Sequence, residues 1–341
     1  MLDLKSINEF TIIPAVMSTV NSRKECNPYY EDGMLPLFTA PMASTINEDN
    51  YKEYLKVGIK TVIPRNISLE VRIKLLTETF VALSLDEFES FFGCPEYTFD
   101  YPTYVCVDIA NGHMKRLIDS CTEVKRLHGD KVTIMTGNIA HPDTYYLYAK
   151  AGIDYIRCGI GSGNCCTTSA NLGVHYPMGS LLRELGVRKR SVEANIKDPK
   201  YNASYQYKSV PKIVADGGFN NFDQINKALA LGADYVMLGK IIAKSEEACG
   251  SICFIEDEKY REYYGMSTKR AQKETGREGN TTAEGISTLV PVEYPIAKWA
   301  DNFAAYLRST MSYCDSISLK EFKDKVIIRT MSIDSRNAYN K

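Results

Sequence analysis

Tyr104-Val-Cys-Val-Asp-Ile109, the helix-patterned stretch Met114 to Leu127, and Val132-Thr-Ile-Met-Thr136 follow one another with short polar connections. The two outer runs are almost continuously apolar, the pattern of strands covered on both faces, and the segment between them is long enough to cross back over a sheet. The same unit repeats along the chain. Further strand-like runs are Leu35 to Ala40, Lys60 to Pro64, Thr79 to Leu83, Tyr155 to Gly159, Lys212 to Ala215 and Tyr235 to Leu238. Helix-like stretches lie between them at Asn50 to Val57, Ser68 to Thr77, Asp143 to Ala151, Met178 to Leu185 and Asp223 to Leu231. Eight such units predict an α/β protein, a closed (β/α)8 TIM barrel, with its chemistry at the C-terminal ends of the strands.

The residues at those ends are distinctive. After the first strand stands Ala40-Pro-Met-Ala-Ser-Thr45, after the fourth Asp108-Ile-Ala-Asn-Gly-His113, and after the fifth Gly137-Asn138. The sixth is followed by Gly159-Ile-Gly-Ser-Gly-Asn-Cys-Cys-Thr-Thr168, the seventh by Asp216-Gly-Gly218, and the eighth by Gly239-Lys240. A glycine-rich turn lets the backbone approach a ligand, and a cysteine at its end can attack an electrophilic carbon while a nearby threonine relays a proton. Read alone, that loop is equally a flexible turn before two buried thiols. The glycines at 217, 218 and 239 suit the phosphate site that barrels build after strands seven and eight, or simply two tight turns.

Composition narrows the function classes. The 341 residues carry 41 basic and 42 acidic side chains, a balance that points to neither nucleic acid nor a membrane surface as partner. The ten cysteines are scattered, several inside apolar runs, as expected of reduced thiols in a cytoplasmic chain. Four dispersed histidines do not form a metal centre, and the start Met-Leu-Asp-Leu-Lys-Ser has no signal layout, so the chain is expected to be complete as written. Two segments break the rhythm: the polar stretch 186–211, read as an extended helix plus surface excursion, and Thr268 to Thr282, whose composition suits a mobile lid or a plain solvated loop.

Taken together, these motifs resemble the inosine-monophosphate dehydrogenase and guanosine-monophosphate reductase family, from Leu2 to about Ser332. The resemblance rests on the Cys166 loop with Thr167-Thr168, Asp216-Gly-Gly218, Tyr235-Val-Met-Leu-Gly239, Tyr264-Gly-Met-Ser267, Ala283-Glu-Gly285 and Arg308-Ser-Thr-Met-Ser-Tyr313. It implies that Cys166 adds to C2 of a purine nucleotide while a nicotinamide ring exchanges hydride with that carbon. Thr168 and Glu284 would then move protons, with Cys165 as a packing residue. The phosphate would rest near Gly163, Asn164, Gly217, Gly218, Gly239 and Lys240, and the ribose on Asp216. Met42, Gly265, Met266 and Ser267 would flank the base, and Asp108 and Asn138 would shape the nicotinamide side. The resemblance also implies a homotetramer and leaves room for a monovalent cation such as K+ on the carbonyls of Gly161, Gly163 and Cys166.

The family's inserted regulatory (CBS) domain pair has no counterpart, since a third βα unit fills the span from Arg65 to Tyr104, and residues 1–341 read as one catalytic barrel domain. The 15 residues between Ser267 and Ala283 hold no Arg-Tyr pair of the kind a dehydrogenase uses to activate water, and Asp108-Ile-Ala-Asn-Gly112 and Gly173-Val-His-Tyr-Pro177 are worded like the reductase. The resemblance is therefore closest to GMP reductase, implying NADPH-dependent conversion of GMP to IMP and ammonia. An IMP dehydrogenase without regulatory domains, and a purine-nucleotide binder with altered substrate or no turnover, are the alternatives. Departures from the family pattern are Asn164 for a serine, Lys240 for a small residue, Ala43 for an aspartate and Arg65 for a lysine. Thr281 and Ala283 replace an arginine and a serine, and Leu83-Ser-Leu-Asp86 stands where glycine and serine are expected.

Overall fold

The computed structural model describes residues 3–164, 166–265, 268–270, 285–332 and 334–335. A short strand β1 (Phe10–Ile13) precedes β2 (Leu37–Thr39), β3 (Val62–Ile63), β4 (Phe80–Leu83), β5 (Thr103–Asp108), β6 (Val132–Ile139), β7 (Tyr155–Cys158), β8 (Lys212–Asp216) and β9 (Tyr235–Leu238). Strands β2 to β9 form one parallel sheet in the order β2-β9-β8-β7-β6-β5-β4-β3. Its two edges meet: Thr39 N–H donates to Lys60 O at 2.9 Å and Lys60 N–H donates to Leu37 O at 3.1 Å, so the sheet is a closed barrel. All eight expected strands are present. The fifth runs further than its apolar pattern, and Gly137 and Asn138 belong to β6 itself. A side chain at 137 would meet Arg157 O at 2.3 Å, so only glycine lets β6 pass β7 so closely.

Outside the barrel lie α1 (Tyr51–Lys56), α2 (Leu69–Lys74), α3 (Leu85–Phe92), α4 (Lys115–His128), α5 (Thr144–Ala151), α6 (Thr168–Leu172), α7 (Met178–Lys197), α8 (Pro199–Tyr205), α9 (Phe222–Leu231) and α10 (Lys240–Ala243). The departure at Leu83 to Asp86 is a helix start: Ser84 Oγ accepts from Glu87 N–H at 3.2 Å and the Glu87 carboxylate accepts from Ser84 N–H at 2.7 Å. That capping box opens α3 directly from β4. The stretch 186–211 holds the last three turns of α7 and all of α8, with Val192 and Tyr207 buried against neighbouring helices. No helix among the described residues is long and apolar enough to cross a membrane.

An inner core of Phe38, Phe80, Tyr155 and Tyr235 with Val62, Met135 and Val214 fills the barrel, its rings in edge-on and tilted contact. The lower rim uses one device twice. In Gly152-Ile-Asp-Tyr155 and Gly232-Ala-Asp-Tyr235 the aspartate precedes a strand, and its carboxylate accepts the backbone N–H of the strand before it, Ile134 for Asp154 and Ile213 for Asp234, each at 2.7 Å.

The chain then builds an antiparallel sheet unread in the sequence, β10 (Ile252–Ile255), β11 (Glu258–Tyr264) and β12 (Ser287–Pro291), followed by α11 (Ile296–Tyr313), α12 (Leu319–Lys325) and β13 (Ile327–Thr330). Strand β13 pairs with β1, closing a two-stranded ribbon against α9. The β10–β12 sheet stands on α10 through Arg261, which is buried and donates to the carbonyls of Ala243 at 2.8 Å, Gly250 and Glu246 at 3.3 Å, and Ser245. This places Tyr263 and Gly265 at the barrel mouth.

Candidate active site

The C-terminal mouth holds a cleft of about 460 Å³, within the ordinary range for small-molecule sites. One wall is the turn after β7. There Cys166 N–H donates to Gly163 O at 3.0 Å, and its half-buried thiol donates to Thr168 Oγ1 at 3.1 Å. Thr168 opens α6, so helix packing sets the hydroxyl's position against the thiol. Cys166 also forms an antiparallel bridge with Gly285, the residue after Glu284 in sequence. Cys165, Met266, Ser267, Glu284 and lid residues 271–282 lie outside the described residues. The carbonyls of Gly161 and Gly163, expected around a cation, already accept from Ser169 Oγ at 3.2 Å and Cys166 N–H.

Three other thiols of the barrel are fully buried. Burial pushes Cys106 up to about 12, and Cys121 and Cys158 also upward, so these sulfurs stay protonated and inert at neutral pH. Cys166 opens on the cleft instead.

The floor of the cleft is a chain of alternating charges. Arg157, buried at the top of β7, donates to Asp108 Oδ1 at 2.6 Å on β5 and to Asp216 Oδ2 at 2.8 Å on β8. Arg65 Nε reaches Asp108 Oδ2 at 3.2 Å, and Asn138 Nδ2 donates to Asp216 Oδ2 at 2.8 Å and to Gly159 O at 2.9 Å. Burial opposes charge on Arg157, but Asp216 and Asp108 outweigh it and hold the guanidinium firmly protonated. Among the described residues Asp216 Oδ1 has no hydrogen-bond donor, so one carboxylate oxygen faces the cleft uncommitted.

At the far end the turns after β7, β8 and β9 converge. Gly217 has φ +102°, and a Cβ there would lie 2.8 Å from Gly163 N, so the Asp216 turn and the Cys166 turn touch only because residue 217 is glycine. Gly163, Asn164, Gly217, Gly218, Gly239 and Lys240 all line this pole, with Met42 and Tyr263 against Gly239 and Gly265 also on the cleft. Backbone N–H groups with an ammonium beside them make an anion site. Thus the described members of the expected set line one cleft: Cys166 and Thr168, Asp108 and Asn138, and the glycine pole.

A family model described as the IMP dehydrogenase / GMP reductase domain matches residues 100–337. The chain belongs to the IMP dehydrogenase/GMP reductase family. Similar proteins include those named GMP reductase from Photobacterium profundum and Vibrio vulnificus, each 30% identical over 240 residues, and from Vibrio parahaemolyticus, 31% identical over the same length. Each alignment covers 70% of this chain and 64% of the relative, so the matched segment spans less than two thirds of those proteins.

Family membership gives the resemblance in sequence a structural frame, and the frame adds residues that sequence reasoning passed over. Arg157 was read only as part of an apolar strand, although a lone arginine within Tyr155-Ile-Arg-Cys158 is itself a signal, since a charge inside a barrel needs partners. Tyr263 was missed with its whole sheet; its hydroxyl donates to Met42 Sδ at 3.7 Å and closes the wall beside Gly239.

Proposed function

We propose that the protein reduces GMP to IMP with NADPH, releasing ammonia, through a covalent bond between Cys166 and C2 of the purine. The observation that carries this reading is the Cys166–Thr168 pair at 3.1 Å, set in a cleft between a glycine pole fit for phosphate and a carboxylate oxygen fit for ribose. With the phosphate on the amides of Gly163, Gly218 and Gly239, Asp216 Oδ1 accepts from a ribose hydroxyl and the base extends toward Cys166. The thiolate adds to C2, and the 2-amino group leaves as ammonia after taking a proton by way of Thr168 and Glu284. Ile109, Ala110, Asp108 and Asn138 line the same cleft as Cys166, apolar groups with polar neighbours that suit a nicotinamide ring. When bound, that ring supplies the hydride that C2 receives as the C–S bond breaks and the thiolate is restored. GMP, NADPH and two protons thus give IMP, NADP+ and ammonium.

The reductive direction is favoured over oxidation of IMP by the 15-residue span from Thr268 to Thr282, which carries no Arg-Tyr pair to activate water. The test is NADPH absorbance with GMP, run beside IMP with NAD+. Loss of NADPH with stoichiometric ammonia, abolished in Cys166→Ala, is expected. NADH formation from IMP without GMP turnover would move the protein to the dehydrogenase reaction.

A further inference from the structure

The glycine pole is not the end of the site. Behind it lies a second cleft of about 590 Å³ that shares Asn164 and Lys240 with the first and continues past Asn220, Lys244, Glu293 and Asn302.

The charge in the second cleft is unbalanced. Glu293 is the one carboxylate among its lining residues, and it is already engaged by Lys244 Nζ at 2.7 Å. Lys240 has no carboxylate within ion-pair distance among the described residues, although it is half-buried between the two clefts. An ammonium held there gains most from a bound anion. Asn220 Nδ2 bridges to Asn164 Oδ1 and Gly218 O, both at 3.2 Å, so the dividing ridge is polar. Three aromatic side chains line the second cleft, each already engaged: Trp299 is buried and stacked on Phe303, Phe222 packs on Trp299, and the Tyr294 hydroxyl donates to Ile241 O at 2.9 Å. The ammonium of Lys240 and the asparagine amides around it suit a phosphate with further hydrogen-bond acceptors.

We infer that the site takes a purine nucleoside 5′-diphosphate as well as the monophosphate, its second phosphate seated in this cleft on Lys240, Lys244 and the asparagine amides. The inference rests on the placement of the first phosphate at the glycine pole in the proposed function. A monophosphate ends at that pole and leaves the second cleft unused.

Calorimetry at constant ionic strength with GMP, GDP, and GMP plus inorganic phosphate tests it on the wild-type chain and on Lys244→Ala, a substitution of a partly exposed side chain. One added charge-assisted contact predicts GDP binding about tenfold more tightly than GMP. Lys244→Ala is expected to remove most of that advantage while GMP affinity stays unchanged. GDP binding no more tightly than GMP, with GMP bound normally, overturns the diphosphate assignment and leaves the proposed function standing. Inorganic phosphate strengthening GMP binding while GDP gains nothing overturns it too, in favour of a separate anion. Failure of every nucleotide to bind overturns both readings.

Discussion

Arg157 decides how the site is held together. It is a buried cation whose stability depends on carboxylates from two other strands, Asp108 and Asp216. Removing one partner of a buried pair leaves an uncompensated charge, which costs about 3–5 kcal/mol in typical cases, and the retained Asp108 places the effect at the low end. Asp216→Asn is therefore expected to lose on the order of 3 kcal/mol in urea unfolding and to lose nucleotide affinity as well, because Oδ1 no longer carries charge. Unchanged stability with lost affinity would mean that Arg157 does not depend on that carboxylate. At this scale much of the site was legible: Cys166, Thr168, Asp216 and the glycines sit at strand ends, where sequence position and chemistry coincide. Arg157 was not, because a residue in the middle of an apolar run carries no mark of which strands will face it.

Among the elements, the barrel strands and their helices announce themselves by local pattern, whereas the β10–β12 sheet does not. Glu258-Lys-Tyr-Arg-Glu-Tyr-Tyr264 has no apolar alternation, and its inward face is made by Arg261 and Tyr263. Arg261 becomes an interior residue only because the end of α10 offers it carbonyl groups, a long-range fact absent from the local sequence. The β1–β13 ribbon is invisible for the same reason, its strands standing at opposite ends of the chain. Arg261→Met fills the space but leaves the Ala243 carbonyl without a donor and Ser245 O with only the long bond from Ala248 N–H at 3.4 Å; a buried group left unsatisfied costs about 1–3 kcal/mol. The variant is expected to unfold at lower urea and to bind nucleotide more weakly, since α10 carries Lys240. An unchanged urea midpoint would show that the sheet is held by its other contacts.

For the whole molecule, the closed barrel makes the lower rim a single structural ring, and Asp234 is one of its ties. It joins Lys189 of α7 at 2.7 Å, Lys323 of α12 at 2.9 Å and the start of β8. Burial works against its ionisation, yet Lys323 and Lys189 prevail and hold the carboxyl down at about 2. An unfolded aspartate titrates near 3.9, so this contribution is fully present above about pH 4 and is lost as pH falls through about 2. The stability difference between wild type and Asp234→Asn should thus shrink as urea midpoints are followed from about pH 5 down to about pH 2. A difference independent of pH would place the stabilisation elsewhere.

The ring in turn fixes the mouth where the proposed chemistry occurs, and that chemistry turns on a bond between Cys166 and a purine. The most direct measurement is intact-protein mass spectrometry after rapid acid quench of the protein mixed with GMP, with Cys166→Ala as the control. A mass increment equal to GMP less ammonia is expected, mapped by peptide analysis to Cys166 and absent from the variant. Sustained turnover of GMP by Cys166→Ala, or turnover in wild type with no such adduct at any quench time, would contradict it.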